Sequence, residues 1–154
     1  MKKILMILFC MIFMTACSGG TTNQVDNTVT PKLGDTVVMP GFEVTLVSYT
    51  VGKAIDSHEQ YQDLIYLDVR VKNTSQQQTK FNVSKYSIYN QNNVKINSIT
   101  NSKYTSSISN LAQIRPNGTA AAQIIFPFSG YGTYYIEFAG INGMVTAELD
   151  IKQY

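Results

Sequence analysis

The chain has no tryptophan, one histidine and two cysteines, and each shortage removes a class of chemistry. A nucleophilic hydrolase needs a base beside its nucleophile and a third group to orient that base. His58 is the single imidazole available. Its neighbours Ser57 and Glu59 make no triad, because adjacent side chains in an extended or turning segment point apart. His58 is therefore read as a solvated loop residue and the chain as non-enzymatic, with no cofactor. The two cysteines, Cys10 and Cys17, both lie near the start, so no disulfide framework, zinc cluster or redox pair is expected beyond them. Phosphate-cradling glycine loops and basic stripes interleaved with aromatics are lacking, which argues against nucleotides and nucleic acid. Charge of one sign is scarce: 12 Lys and Arg stand against 10 Asp and Glu, and Lys2 and Lys3 account for the excess. Without them the chain is formally neutral and has no net field to gather a polyanion. Long apolar runs are also missing. The longest, residues 4–14, has eleven residues. At about 1.5 Å rise each, it is too short for a hydrocarbon core of roughly 30 Å.

That run, preceded by Lys2 and Lys3, has the layout of a secretory signal peptide. The small residues Thr15 and Ala16 follow it, and then Cys17. MTACSGG, residues 14–20, resembles the lipobox of bacterial lipoproteins, although Met14 stands where that family usually has leucine. The resemblance implies that residues 1–16 are removed and that Cys17 becomes the lipidated first residue. Cleavage would also discard Cys10, leaving Cys17 without a partner thiol. The two or three acyl chains implied at such a cysteine give firm membrane attachment, where one gives only marginal binding. The expected location is the extracytoplasmic face of the cell membrane. Residues 17–32 are small and polar, with too little to bury against the entropy of ordering, and read as a flexible tether. Its span is roughly 20 Å.

Residues 33–154 are enough for one domain. Here the hydrophobic period is two. Residues 64–72 alternate Ile65, Leu67, Val69 and Val71 against Tyr66, Asp68, Arg70 and Lys72, as a strand between core and water requires. Residues 42–51 begin with the same alternation and lose it from Val47 onward, which marks a bulge. Residues 133–138 and 145–151 alternate as well, and shorter candidates are 36–39, 79–83, 86–90, 94–99 and 119–126. Turn residues punctuate these segments at 40–41, 73–75, 90–93, 116–118, 130–132 and 142–143. The expectation is an all-β antiparallel sandwich of about seven to nine strands.

Three stretches go further. LIYLDVRVKNTSQQQTKFNVSKYSIYNQNN, IRPNGTAAAQIIFPF and GDTVVMPGFEVTLVSY together resemble the bacterial secreted and lipid-anchored proteins grouped as domain of unknown function 4352. The resemblance covers nearly all of residues 33–154 and implies an immunoglobulin-like sandwich, with no established activity. Asn117 between Pro116 and Gly118 departs from the family's direct Pro-Gly, and a turn one residue longer is expected there.

Candidate ligands are few. Asp56, Glu59 and Asp63 share one polar connection, but calcium loops place oxygen donors more densely around a glycine turn, so solvated carboxylates are the expectation and no metal is assigned. Ten tyrosines are a real bias. Tyr134 is expected in the core and Tyr135 as a strand-face residue chosen for β-propensity, since single exposed aromatics need no special role; the alternative is that Tyr131 and Tyr135 present amphipathic rings to a protein or glycan. Sandwiches carry function in end loops or on sheet edges, so a site is expected in residues 52–63, 100–118 or 127–133. The expected role is a membrane-anchored module binding a protein or envelope component. The alternatives are a small-ligand-binding lipoprotein and an envelope immunity or exclusion factor.

Overall fold

The structure is a computed structural model describing residues 30–55, 61–99, 107–108 and 111–153. Its strands are β1 (Thr36–Met39), β2 (Phe42–Ile55), β3 (Tyr61–Asn73), β4 (Tyr86–Tyr89), β5 (Lys95–Ile96), β6 (Thr119–Pro127), β7 (Gly132–Gly140) and β8 (Gly143–Ile151). They form two antiparallel sheets, in the orders β1-β2-β3-β6 and β5-β4-β7-β8. This is the expected all-β, immunoglobulin-like sandwich, and the eight strands among the described residues fall within the expected range.

Period-two alternation builds the core directly. Ile65, Leu67, Val69 and Val71 are buried against Tyr134, Ile136 and Phe138 of β7 and Ala147, Leu149 and Ile151 of β8. Burying each large apolar side chain contributes about 1.5–3 kcal/mol. In β2 the register slips between Leu46 and Ser48. The unpaired Val47 is exposed, and the inward set changes from Phe42, Val44 and Leu46 to Tyr49 beyond it. The bulge is where the sequence pattern broke.

Two expected strands are shortened or absent. Residues 79–83 contribute an isolated bridge, Thr79 to Ile114, and lead into a 3₁₀ turn, Val83–Lys85. Asn82 caps that turn, accepting from Ser84 N at 3.1 Å, and such a local bond competes with a ladder. The apolar signal there belonged to Phe81, which is fully buried. Residues 94–99 keep only β5, because Ile99 N donates to Ile125 O at 2.7 Å, by which point the chain has crossed to the first sheet. Ser107 bridges Gln123 on the same strand, and Ile108 enters the core. The free edge of β6 is thereby covered, which removes a template for unwanted pairing.

The opposite flank carries the chain entry. Glu148 N of β8 donates to Pro31 O at 2.8 Å, and Gly34 N donates to Leu46 O of β2 at 2.7 Å. Pro31 and Lys32, read from sequence as the end of the tether, are bonded to the fold. Between β1 and β8 lies a surface hollow of about 660 Å³, with Val38, Ile141 and Met144 exposed along it.

At one end of the sandwich three turns interlock on Asn73, which continues the inward face of β3 and is 0% exposed. Its Nδ2 donates to Gln77 O at 2.7 Å and Ile114 O at 2.8 Å, and its Oδ1 accepts from Ser75 N and Ser75 Oγ at 2.9 and 2.7 Å. Its backbone pairs with Asn117 N and Gly118 O, while Thr74 N donates to Gly41 O. The turn at 115–118 has ordinary length: Gly118 N donates to Arg115 O at 2.9 Å. The expected extra residue is not there, because Asn117 itself takes the left-handed position at φ 60°. Asparagine tolerates that region better than most residues.

Tyr86 is the exception to polar satisfaction. It is 8% exposed, packed between Phe81 and Phe138, and its hydroxyl has no hydrogen-bond partner of standard geometry. Burial pushes its pKa up to about 12, with Ser98 pulling the other way. An unfolded tyrosine ionises near pH 10 while this one stays protonated, so the unfolded state binds fewer protons between pH 10 and 12. Stability is therefore untouched by this group below pH 10 and falls by roughly 2–3 kcal/mol as pH rises from 10 to 12. Tyr86→Phe is expected to gain about 1 kcal/mol at neutral pH by removing the unpaired hydroxyl. Urea unfolding at neutral pH and near pH 11 should show that gain growing with pH; a constant or shrinking difference contradicts the assignment.

Candidate functional site

Cys17, Asp56, His58 and Glu59 lie outside the described residues. Asp63 sits exposed on β3, paired across the ladder with Lys53, and its carbonyl accepts from Phe128 N at 2.9 Å. Among the described residues no group of three or more His, Cys, Asp or Glu is placed to hold a metal ion.

The end of the sandwich opposite the Asn73 hub presents the 127–132 segment, built around a buried tyrosine. Tyr134, expected in the core, is 0% exposed with its hydroxyl turned toward this segment. The hydroxyl accepts from Ser129 N at 2.8 Å, donates to Gly130 O at 3.0 Å, and lies 3.1 Å from Ser129 Oγ. One buried phenol therefore fixes the loop from below. Gln91, in the turn between β4 and β5, fixes it from the side: its Nε2 donates to Ser129 O at 2.6 Å, and its Oε1 accepts from Ser129 Oγ at 3.0 Å. Gly130 and Gly132 have φ of 125° and 134°, and a Cβ on either would meet Gln91 at 2.9 or 3.0 Å. Only glycine permits that approach without displacing the clamp.

Between the two glycines stands Tyr131, 50% exposed, its ring edge-on to Phe128 with centroids 5.1 Å apart. The sequence singled out Tyr131 and its loop, but the clamp was not visible in it. Gln91 and Ser129 are 38 residues apart, and only the sheet order brings them together.

Tyr135, the other tyrosine singled out, lies on the outer face of the second sheet directly opposite Tyr89 of β4. With Gln91, Asn93, Glu137 and Thr146 the two rings line a hollow of about 310 Å³. Glu137 raises the Tyr89 pKa above the ordinary phenol value, chiefly as an acceptor facing the hydroxyl, with partial desolvation and its negative charge adding to the effect. Sequence reading missed Tyr89 and Glu137, because neither means anything until the β4 to β7 register is known.

The first sheet carries a third hollow of about 300 Å³ at the Val47 bulge. There Asp68 accepts from Ser48 Oγ at 2.8 Å and from Gln123 Nε2 at 2.9 Å, a closed structural network.

Taken together, these features define an antiparallel sandwich whose turns lock one end and whose other end holds a rigid aromatic loop. The chain belongs to the family DUF4352, a domain of unknown function, which matches residues 31–143. Within the matched range the V-K-N-T-S and P-N-G turns of this chain bond to one another through Asn73. Comparison with curated proteins gave no match. Among solved structures, the yjhA protein of Bacillus subtilis is similar at a TM-score of 0.60 and 9% identity, over 80% of this chain and 100% of that one. The secreted protein MPT63 of Mycobacterium tuberculosis follows at 0.58 and 14%, over 79% and 96%. A candidate lipoprotein of Bacillus subtilis, ycdA, matches at 0.58 and 19%, over 77% of this chain but 39% of that one. At these identities the likeness is one of fold.

Proposed function

We propose that this protein is a lipid-anchored, non-catalytic binding module on the extracytoplasmic face of the cell membrane, engaging a protein partner through the 127–132 loop. The observation behind it is the clamped presentation of Tyr131. A half-exposed tyrosine beside a second aromatic ring, on backbone already immobilised by Tyr134 and Gln91, has little entropy left to lose on association. Aromatic anchors of this kind dominate protein interfaces. Support for the location comes from the lipobox resemblance at Cys17 and from a candidate lipoprotein and a secreted protein among the proteins of similar fold.

The test is site-specific photocrosslinking in intact cells. A benzoylphenylalanine at position 131 of the full chain is expected to give a discrete crosslinked species, and one at position 141, on the chain-entry flank, is not. Tyr131→Ala should lower recovery of the same partner in a mild-detergent pull-down by about tenfold or more. Equal crosslinking from both positions, or none from 131, would sink the reading.

A further inference from the structure

We propose that the hollow on the outer face of the second sheet, lined by Tyr89, Tyr135 and Glu137, binds an alkylammonium group. The ladder sets the arrangement. Tyr89 pairs with Tyr135 and Ser87 with Glu137, so two tyrosines stand side by side on adjacent strands with the carboxylate two residues along β7. Gln91, held by Ser129, forms part of the wall, so one side of the hollow is fixed by the clamp that orders the end loop. A space of about 310 Å³ accepts a group the size of trimethylammonium or the end of a lysine side chain.

Charge decides among ligand classes. The neighbouring acids on this face are matched, Glu148 by Lys32 at 3.8 Å and Asp150 by Lys152 at 3.4 Å. Among the described residues no lysine or arginine lies within ion-pair distance of Glu137. Lys95, on β5, stands on the far side of Tyr89 from it. The Tyr89 hydroxyl donates to Glu137 but leaves its charge in place, and a carboxylate among tyrosine rings attracts a cation. A hard metal ion needs several oxygen ligands to replace its water, and one carboxylate does not supply them. A neutral sugar could stack on the rings but would leave the carboxylate charge unanswered. A weakly hydrated organic ammonium uses the rings and the charge together.

The test is a titration of the ¹⁵N-labelled full chain in detergent micelles, followed by amide shifts. Three probes are used: choline, Nα-acetyl-lysine amide, and the neutral choline isostere 3,3-dimethylbutan-1-ol. Either ammonium is expected to shift residues 89, 135 and 137, with the alcohol at least about tenfold weaker. Tighter choline binding would point to a methylated amine as the source, and tighter lysine binding to a protein side chain. Glu137→Gln and Tyr135→Ala should each weaken ammonium binding about tenfold, while Tyr131→Ala, which disables the proposed end-loop contact, leaves it unchanged. Equal shifts with the neutral alcohol would overturn the proposal, as would ammonium binding indifferent to Glu137→Gln, or no localised shift with either ammonium.

Discussion

Replacing Asn73 by alanine is expected to remove about 3 kcal/mol of stability, the largest loss we anticipate from a polar residue in this domain. Asn73 side-chain atoms make four hydrogen bonds in a site with no solvent exposure. Alanine removes all four and leaves Ser75 N without its acceptor, while Gln77 O keeps Ser75 Oγ and Ile114 O keeps Thr79 N. A made bond contributes about 1 kcal/mol net, so the lost bonds account for most of that figure, and the space vacated by the buried amide adds to it. For a domain of this size the midpoint of thermal unfolding should fall by roughly 10 °C. Ser75→Ala leaves both carbonyl bonds to Asn73 Nδ2 in place and should cost about a third as much. Urea unfolding with an unchanged m-value checks both variants. An Asn73→Ala loss below about 1 kcal/mol would mean that the turns hold one another through backbone alone.

Cys17→Ala should abolish lipid attachment entirely. Lipidation at a lipobox needs a thiol to carry the diacylglyceryl group, and alanine has no nucleophile to offer. Cys10 cannot substitute, because it lies inside the apolar run and is not preceded by the small residues that precede Cys17. Cells fed an alkyne-tagged palmitate should therefore label the wild-type protein and Cys10→Ala but not Cys17→Ala. In detergent phase partition the Cys17→Ala chain should either keep its uncleaved leader or leave the membrane for the medium. Persistent label and normal membrane retention in that variant would refute the anchor.

The sheets were legible in the sequence because a strand buried on one face writes its burial every second residue. Ile65 to Val71 could be assigned without any knowledge of their partners, and even the bulge announced itself when Val47 broke the period. What stayed hidden depends on pairing. Asn73 reads as one more turn residue, and its weight appears only when the 115–118 turn closes on it. Residues 79–83 were misread as a strand because Phe81 is buried like a strand residue while Asn82 and Ser84 satisfy the backbone locally. The candidate sites divide the same way. Tyr131 was visible through its flanking glycines, whereas Tyr89 and Glu137 became neighbours only through a register between segments distant in sequence.

The chain entry has a mechanical consequence. Pro31 is hydrogen-bonded to β8, and three residues later Gly34 is bonded to β2, so the incoming chain is fastened to both sheets before β1 begins. Tension arriving from the N-terminal side meets these two attachments first, and it is divided between the sheets rather than applied to the edge of one. Peeling of β1, the failure an edge strand normally invites, must wait until Pro31 and Gly34 have both let go. A partner that pulls on the far end of this domain, at Tyr131, would thus load a body fastened across its seam.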